Sequence, residues 1–357
     1  MNNKEKIVLA IVAVAVIAGA ALAATGVISL PESATTVFQK MAQARTSITS
    51  AETDVKVIAD ITDTTQDKSA HVAFDLNGVG TKSATGAAAD THFTLSGSEA
   101  GGTELALAGD IRFLDSLLYV RATQLPPIPI IDPKLIMNKW FMIDPVAMYK
   151  EFGNEALAAQ FQTEMSASSH MPAEFYTKAY ALAMSEGVVT NIAPKGDQMI
   201  GGVSVKVFSM TFNVSKLYTF VPKYIDLYNT YATTQGLTPL KQAAQTDEEK
   251  AMFQEMQSQV SVDNVTVAIG KHDYLPYHAT ATIHLMNLGG NNPVAGKTVV
   301  ASGGVNGTVT VEATYSNYNK PATVEKPTDA VPLEQFLSGL FGGAMMEAPP
   351  KVSPSMK

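Results

Sequence analysis

The sequence predicts an α+β protein organised around one large antiparallel sheet, and three observations point there. Apolar and polar residues alternate with period two from 53 to 123 and again after 187, as they do in half-buried strands. Between the strands lie two segments, 145–185 and 214–259, whose apolar residues fall three or four apart, the spacing of helices. Ahead of everything runs an apolar helix-forming stretch, 7–30, without Asp, Glu, Lys or Arg and preceded by Lys4 and Lys6.

That first stretch sends the chain to a membrane or through it. A positive flank, an apolar run and the small-residue pattern Ala21-Leu22-Ala23 describe a signal peptide cleaved near Ala23. The run also reaches the roughly 20 apolar residues that span a bilayer, so an uncleaved N-terminal membrane anchor fits equally. Either way the two lysines hold the N-terminus inside. The rest of the chain is then exported, periplasmic or extracellular, and in the second reading anchored to the cytoplasmic membrane by residues 7–30.

Composition narrows the classes further. A net charge of −8 argues against a nucleic-acid partner, and charged residues make up only 16% of the 357. There is no cysteine. Disulfides and a lipid-bearing cysteine after the signal are both excluded, so the core alone must hold the fold.

The elements follow in order. Residues 33–50 form a helix with Val37, Met41, Ala44 and Ile48 on one stripe. Val55, Val57, Ala59 and Ile61 alternate with Lys56 and Asp60, Val72, Phe74 and Leu76 with His71 and Asp75, and Phe93 and Leu95 with His92 and Thr94. Asn77-Gly78 and Gly101-Gly102 read as turns in this meander, which continues through Leu105, Leu107, Ile111 and Phe113 to Ala122. Pro126, Pro127, Pro129 and Pro133 interrupt regular structure, so 124–133 is an extended crossing segment or a flap. A short strand at 139–143 and helices at 145–153, 155–165 and 172–185 come next. Strands at 187–193 and 203–212 turn at Lys195-Gly196-Asp197. Asn213 caps a helix kinked at Pro222, Thr238-Pro239 starts another, and Thr246 with Glu249 has capping-box spacing. Strands close the chain at 261–270, 277–288 and 297–316, with 289–293 as a loop.

Catalytic signatures are missing. No nucleophilic cysteine, G-x-S-x-G, P-loop or H-E-x-x-H occurs. His278 and His284 share a strand face but lie about 20 Å apart by strand rise, too far for one metal. Lys271-His272-Asp273 reads as a solvated turn, and Asp247, Glu248 and Glu249 as a helix first turn. We therefore expect no enzyme, cofactor or metal. The adaptable apolar side chains on the helices are the remaining candidates: Phe152, Phe161, Met165, Leu182, Leu217, Val221, Tyr224, Tyr228, Met252, Phe253 and Met256 are expected to line a ligand site.

The layout resembles the LolA/LolB and LppX/LprG family of bacterial periplasmic and envelope lipoprotein-like carriers. The matching segments are 37–61, the strand Asn138-Lys139-Trp140-Phe141-Met142-Ile143-Asp144, 205–217, 267–276, and 315–321 leading to 324–327. The resemblance implies a curved antiparallel half-barrel over 31–332, with helices covering the concave face and acyl chains held beneath them. Residues 333–357 would then be a short helix and disordered tail. It implies a lipid or lipoprotein acyl chain as partner and no catalysis. The missing lipobox cysteine departs from the lipoprotein members. The alternative is a structural or interaction protein of the cell envelope whose half-barrel is filled by its own side chains. An apolar cavity between 125–133 and the helices would favour carriage.

Overall fold

Long runs of alternation become long strands. The computed structural model describes residues 34–64, 66–83, 86–99, 102, 104–126, 132–151, 155, 158, 172–234, 239–240, 258–288, 291–294, 297–300 and 304–340. Helix α1 (Ala34–Arg45) leads into five strands: β1 (Ser50–Asp63), β2 (Lys68–Ser83), β3 (Gly86–Glu99), β4 (Leu105–Leu114) and β5 (Leu117–Gln124). Then come β6 (Trp140–Ile143), α2 (Pro145–Glu151), α3 (Ala173–Ser185), β7 (Val189–Ile200), β8 (Val203–Phe212) and α4 (Leu217–Thr234). The chain continues through β9 (Val260–Gly270), β10 (Pro276–Leu288), β11 (Asn291–Val294), β12 (Lys297–Val300), β13 (Val305–Ser316), β14 (Val331–Pro332) and α5 (Leu333–Leu340).

Twelve strands form one open sheet in the order β14-β6-β5-β4-β3-β2-β1-β13-β10-β9-β8-β7, with β11 and β12 as a separate pair. Among the described residues every pairing is antiparallel, as expected, except the two-residue contact of β14 with β6, which is parallel. Register sorts the side chains cleanly. Val57, Phe74, Leu95 and Leu107 lie in one cross-strand row, and Val55, Leu76, Phe93 and Gly109 in the next, all on one face. Val309, Val311, Ala281 and Ile283 continue that inner face across β13 and β10. Lys56, Asp75 and Thr94 occupy the opposite, outer face.

The helices cover one part of the inner face. Phe38 and Met41 of α1, with Tyr180 and Ala183 of α3, bury against Phe208, Met210, Val267, Ile269 and Ala281. Phe38 stacks on Tyr180 at 5.9 Å between ring centroids. Val214 and Leu217, where a 3-10 turn capped by Asn213 enters α4, reach Val260, Ile283 and Val309. At the far edge Phe336 of α5 meets Phe141 of β6 at 4.7 Å.

Glycines on the inner face mark where strands crowd toward it. A Cβ on Gly78 would lie 2.3 Å from the carbonyl oxygen of Asp90, one on Gly109 2.4 Å from that of Arg121, and one on Gly307 2.5 Å from that of Asp60. Only a residue without a side chain permits such an approach, and it lets the sheet bend. Asn77-Gly78 is therefore not a turn: it sits within β2, with Asn77 opposite His92.

Two other turn readings need correction. Lys195-Gly196-Asp197 lies inside β7, where irregular pairing between Thr190 and Ala193 and between Pro194 and Gly196 absorbs the proline and glycine. The turn is made instead by Gly201 and Gly202, whose φ of 55° and 81° favour glycine. Asn291 to Pro293, read as loop, belongs to β11 paired with β12. Helix α4 runs on through Pro222. The expected helix at 155–165 and the caps at Thr238 and Thr246 lie outside the described residues, apart from Glu155 and Ala158.

Gly109→Val is expected to lower stability by about 1–3 kcal/mol through overpacking. Gly80→Ala, where nothing lies within 4 Å of the added carbon, should change it by less than about 0.5 kcal/mol. Urea unfolding midpoints of both variants check this.

Candidate functional site

The inner face divides into two halves of the same chemistry and different burial. On β8, β9, β10 and β13 its residues are buried, among them Phe208, Val267, Ile283 and Val309. On β2 to β5 the corresponding residues, Phe74, Leu76, Phe93, Leu95, Leu107, Ile111, Phe113 and Val120, are all only half-buried. The described helices stand on either side of this floor, with α1, α3 and α4 toward β7–β10 and α5 at β6. Among the described residues this leaves a half-buried apolar floor between flanking helices, a trough four strands wide, about 19 Å at ordinary strand spacing.

Of the lining candidates, Leu182, Leu217, Val221, Tyr224 and Tyr228 are described; Phe152, Phe161, Met165, Met252, Phe253 and Met256 lie outside the described residues. Leu217 packs toward the sheet. Tyr224 and Tyr228 instead join Tyr231 and Tyr176 around the buried ring of Phe175, between α3 and α4. Burial pushes the Tyr224 hydroxyl upward, and Tyr176 and Tyr228 add to the rise. Leu182 is half-buried and Val221 is 42% exposed. The floor residues were legible as an apolar face by alternation, but nothing in that signal says how much of the face helices cover. The segment expected to border a cavity, 125–133, is described only at residues 125–126 and 132–133.

The outer face is polar and tied together by ion pairs. Four of the six histidines face carboxylates on adjacent strands: His71 with Asp60 at 2.7 Å, His92 with Asp110 at 2.9 Å, His284 with Asp263 at 3.3 Å and His278 with Glu312 at 3.9 Å. His92, Asp110, Arg121 and Trp140 lie opposite one another across β3 to β6. Arg121 Nε donates to Asp110 at 2.8 Å. Trp140 is flanked by Arg121 at 4.6 Å and Arg112 at 4.8 Å from its ring centre. Arg112 Nε approaches Asp90 at 2.9 Å as an ion pair without hydrogen-bond alignment, and Nη1 donates to the Glu325 carbonyl at 3.0 Å. Segment 317–330 thus crosses the outer face on its way to β14.

Grooves on this face are polar. One of about 580 Å³ is lined by Glu52, Asp54, Asn77, Asp90 and His92, among others; another of about 410 Å³ involves Asp60, Ser69 and His71. Both set charged side chains beside apolar surface. Among the described residues no group of three His, Asp or Glu is placed to hold a metal, and no helix is long and apolar enough to cross a membrane. Lys271 pairs with Asp197 at 2.6 Å, while Asp273 accepts from the Leu275 amide and the Tyr277 hydroxyl, so the 271–273 triplet is a braced turn.

No protein-family model and no curated protein matches the chain. Among solved structures it is similar to the lipoprotein LppX of Mycobacterium tuberculosis, at 13% identity and TM-score 0.31, over 81% of this chain and 97% of that one. It is also similar to LprF from Mycobacterium bovis, at 11% identity and TM-score 0.25, over 82% and 95%. A DUF1329 family protein from Desulfovibrio piger matches at 10% identity and TM-score 0.17, over 81% and 94%. These superpositions are loose, and the geometry of the trough stands without them.

Burial raises the Asp110 carboxyl, but the hydrogen bonds and charges of His92 and Arg121 outweigh it and hold the group below its ordinary value of 3.8. A depressed carboxylate stabilises the fold above that value, and its contribution is lost as pH falls through the lowered one. Asp110→Asn is therefore expected to cost about 1.5–3 kcal/mol at neutral pH. The difference from the parent should shrink as pH drops below 3.8, read by urea unfolding across pH.

Proposed function

We propose that this protein is an extracytoplasmic acyl-chain carrier that shelters hydrocarbon on the apolar floor of its open sheet, with no catalytic role. One observation carries the reading: the inner face is mainly apolar from β13 through β5, yet the described helices that bury it over β8 to β13 leave it half-buried over β2 to β5. A wet apolar surface of that width is costly unless something apolar occupies it. Each methylene sheltered there contributes about 0.8 kcal/mol, so a chain burying ten of them gains roughly 8 kcal/mol. LppX, one of the similar structures, is a lipoprotein by name, and the floor supports the reading independently of it. The apolar segment 7–30 would bring the carrier to a membrane by export or by anchoring.

The second reading, an envelope scaffold, draws on the β8 to β13 half, where the protein's own side chains fill the space beneath the helices.

Native mass spectrometry with lipid extraction on the purified full chain separates the two. Co-purifying acyl lipid near one per chain is expected for a carrier, and a clean apo mass that stays unchanged after incubation with membrane lipid favours the scaffold. Leu95→Gln on the floor should lower lipid occupancy about tenfold or more, while Ser96→Gln on the outer face should leave it unchanged.

A further inference from the structure

The sequence contains three arginines, and two form ion pairs on the outer face, Arg112 with Asp90 and Arg121 with Asp110. Arg45 differs. Among the described residues it has no carboxylate partner, and its guanidinium lies over the Tyr176 ring at 5.5 Å. It follows Phe38 and Met41 by seven and four residues, so helical spacing puts it on the buried, inward side of α1. A cation in a last helical turn complements the helix dipole. A solvent-facing side chain would serve that purpose equally well, so the inward orientation needs another reason.

The sheet beside Arg45 changes character in the same place. Tyr315, Thr53, Gly78 and Thr91 form one cross-strand row on the inner face. The rows on either side of it, through Ala51, Gly80 and Ala89 and through Val55, Leu76 and Phe93, are apolar or small. None of the hydroxyls of Tyr315, Thr53 and Thr91 has a hydrogen-bond partner among the described residues. Burial raises the hydroxyls of Tyr315 and Tyr318, and the charge of Arg45 reaches both and opposes that rise. One end of the trough therefore offers, among the described residues, a guanidinium without a carboxylate partner and three hydroxyls without hydrogen-bond partners, beside an otherwise hydrocarbon floor.

Resting on the acyl-chain reading above, we infer that the trough takes an amphiphile with an anionic head, whose phosphate or carboxylate is held by Arg45 next to the Tyr315–Thr53–Thr91 row while its chain lies over Phe93 and Leu95. Guanidinium recognises such oxyanions through paired N–H donors, and the hydroxyls supply further ones.

The test compares palmitoyl lysophosphatidic acid with monopalmitoylglycerol, equal in chain and different in head charge, each below its micelle concentration and bound to the full chain. The anionic probe is expected to bind about tenfold tighter. Arg45→Gln should abolish that preference while leaving the neutral probe's affinity intact, and Arg45→Lys should keep most of it. Inorganic phosphate at equal concentration should not compete. Equal affinities in the parent, a preference that survives Arg45→Gln, an Arg45→Gln loss shared equally by both probes, or competition by free phosphate would each overturn the anionic-head assignment. Failure of both probes to bind the parent would overturn the carrier reading itself and the assignment with it.

Discussion

A sheet with one apolar face must keep that face from water, and this requirement governs the rest of the molecule. From β13 through β1 to β4 the pairing aligns inward side chains into cross-strand rows, so apolar surface runs across several strands. Helices α1, α3 and α4 answer the requirement over β7 to β10, where Phe38, Tyr180 and Phe208 lie with essentially no exposure. Their contacts among the described residues lie on that half, and the trough is the half-buried part of the sheet beyond them.

The outer face solves a different problem. Without disulfides, long strands must be held in register by packing and by cross-strand pairs. Histidine-carboxylate pairs and the Asp90, Arg112, Trp140, Arg121, Asp110 ladder supply these on the polar side, and segment 317–330 braces them through Glu325. With register held from outside, no described ion pair crosses the inner rows through Phe74 and Phe93. The inner floor then needs only shape, which the close approaches at Gly78, Gly109 and Gly307 allow it to take.

Much of the sheet was legible in the sequence because period-two alternation is a direct image of the pleat, as in β10, where buried and half-buried residues alternate strictly from Tyr277 to Leu285. Glycine misled where it serves close approach rather than a turn. Gly78 and Gly196 look like turn residues one by one, and only strand pairing reveals that both lie within strands. For the site, helical periodicity identified Tyr224 and Tyr228 as inward-facing but not what they face. Their partner is Phe175 on the neighbouring helix, a contact between segments about fifty residues apart that local spacing does not encode. Arg45 carries no such signal in the sequence for a related reason: a cation at a helix end gains meaning only once no carboxylate is found beside it among the described residues.

The most direct measurement is photo-crosslinking of the full chain with a palmitate carrying a diazirine in mid-chain, followed by peptide mapping. A trough that holds acyl chains predicts label on the inward residues of β2 to β5, with Phe74, Phe93 and Leu95 foremost. Label confined to the α3 and α4 peptides around Phe175, or spread without preference over the outer face, would contradict it.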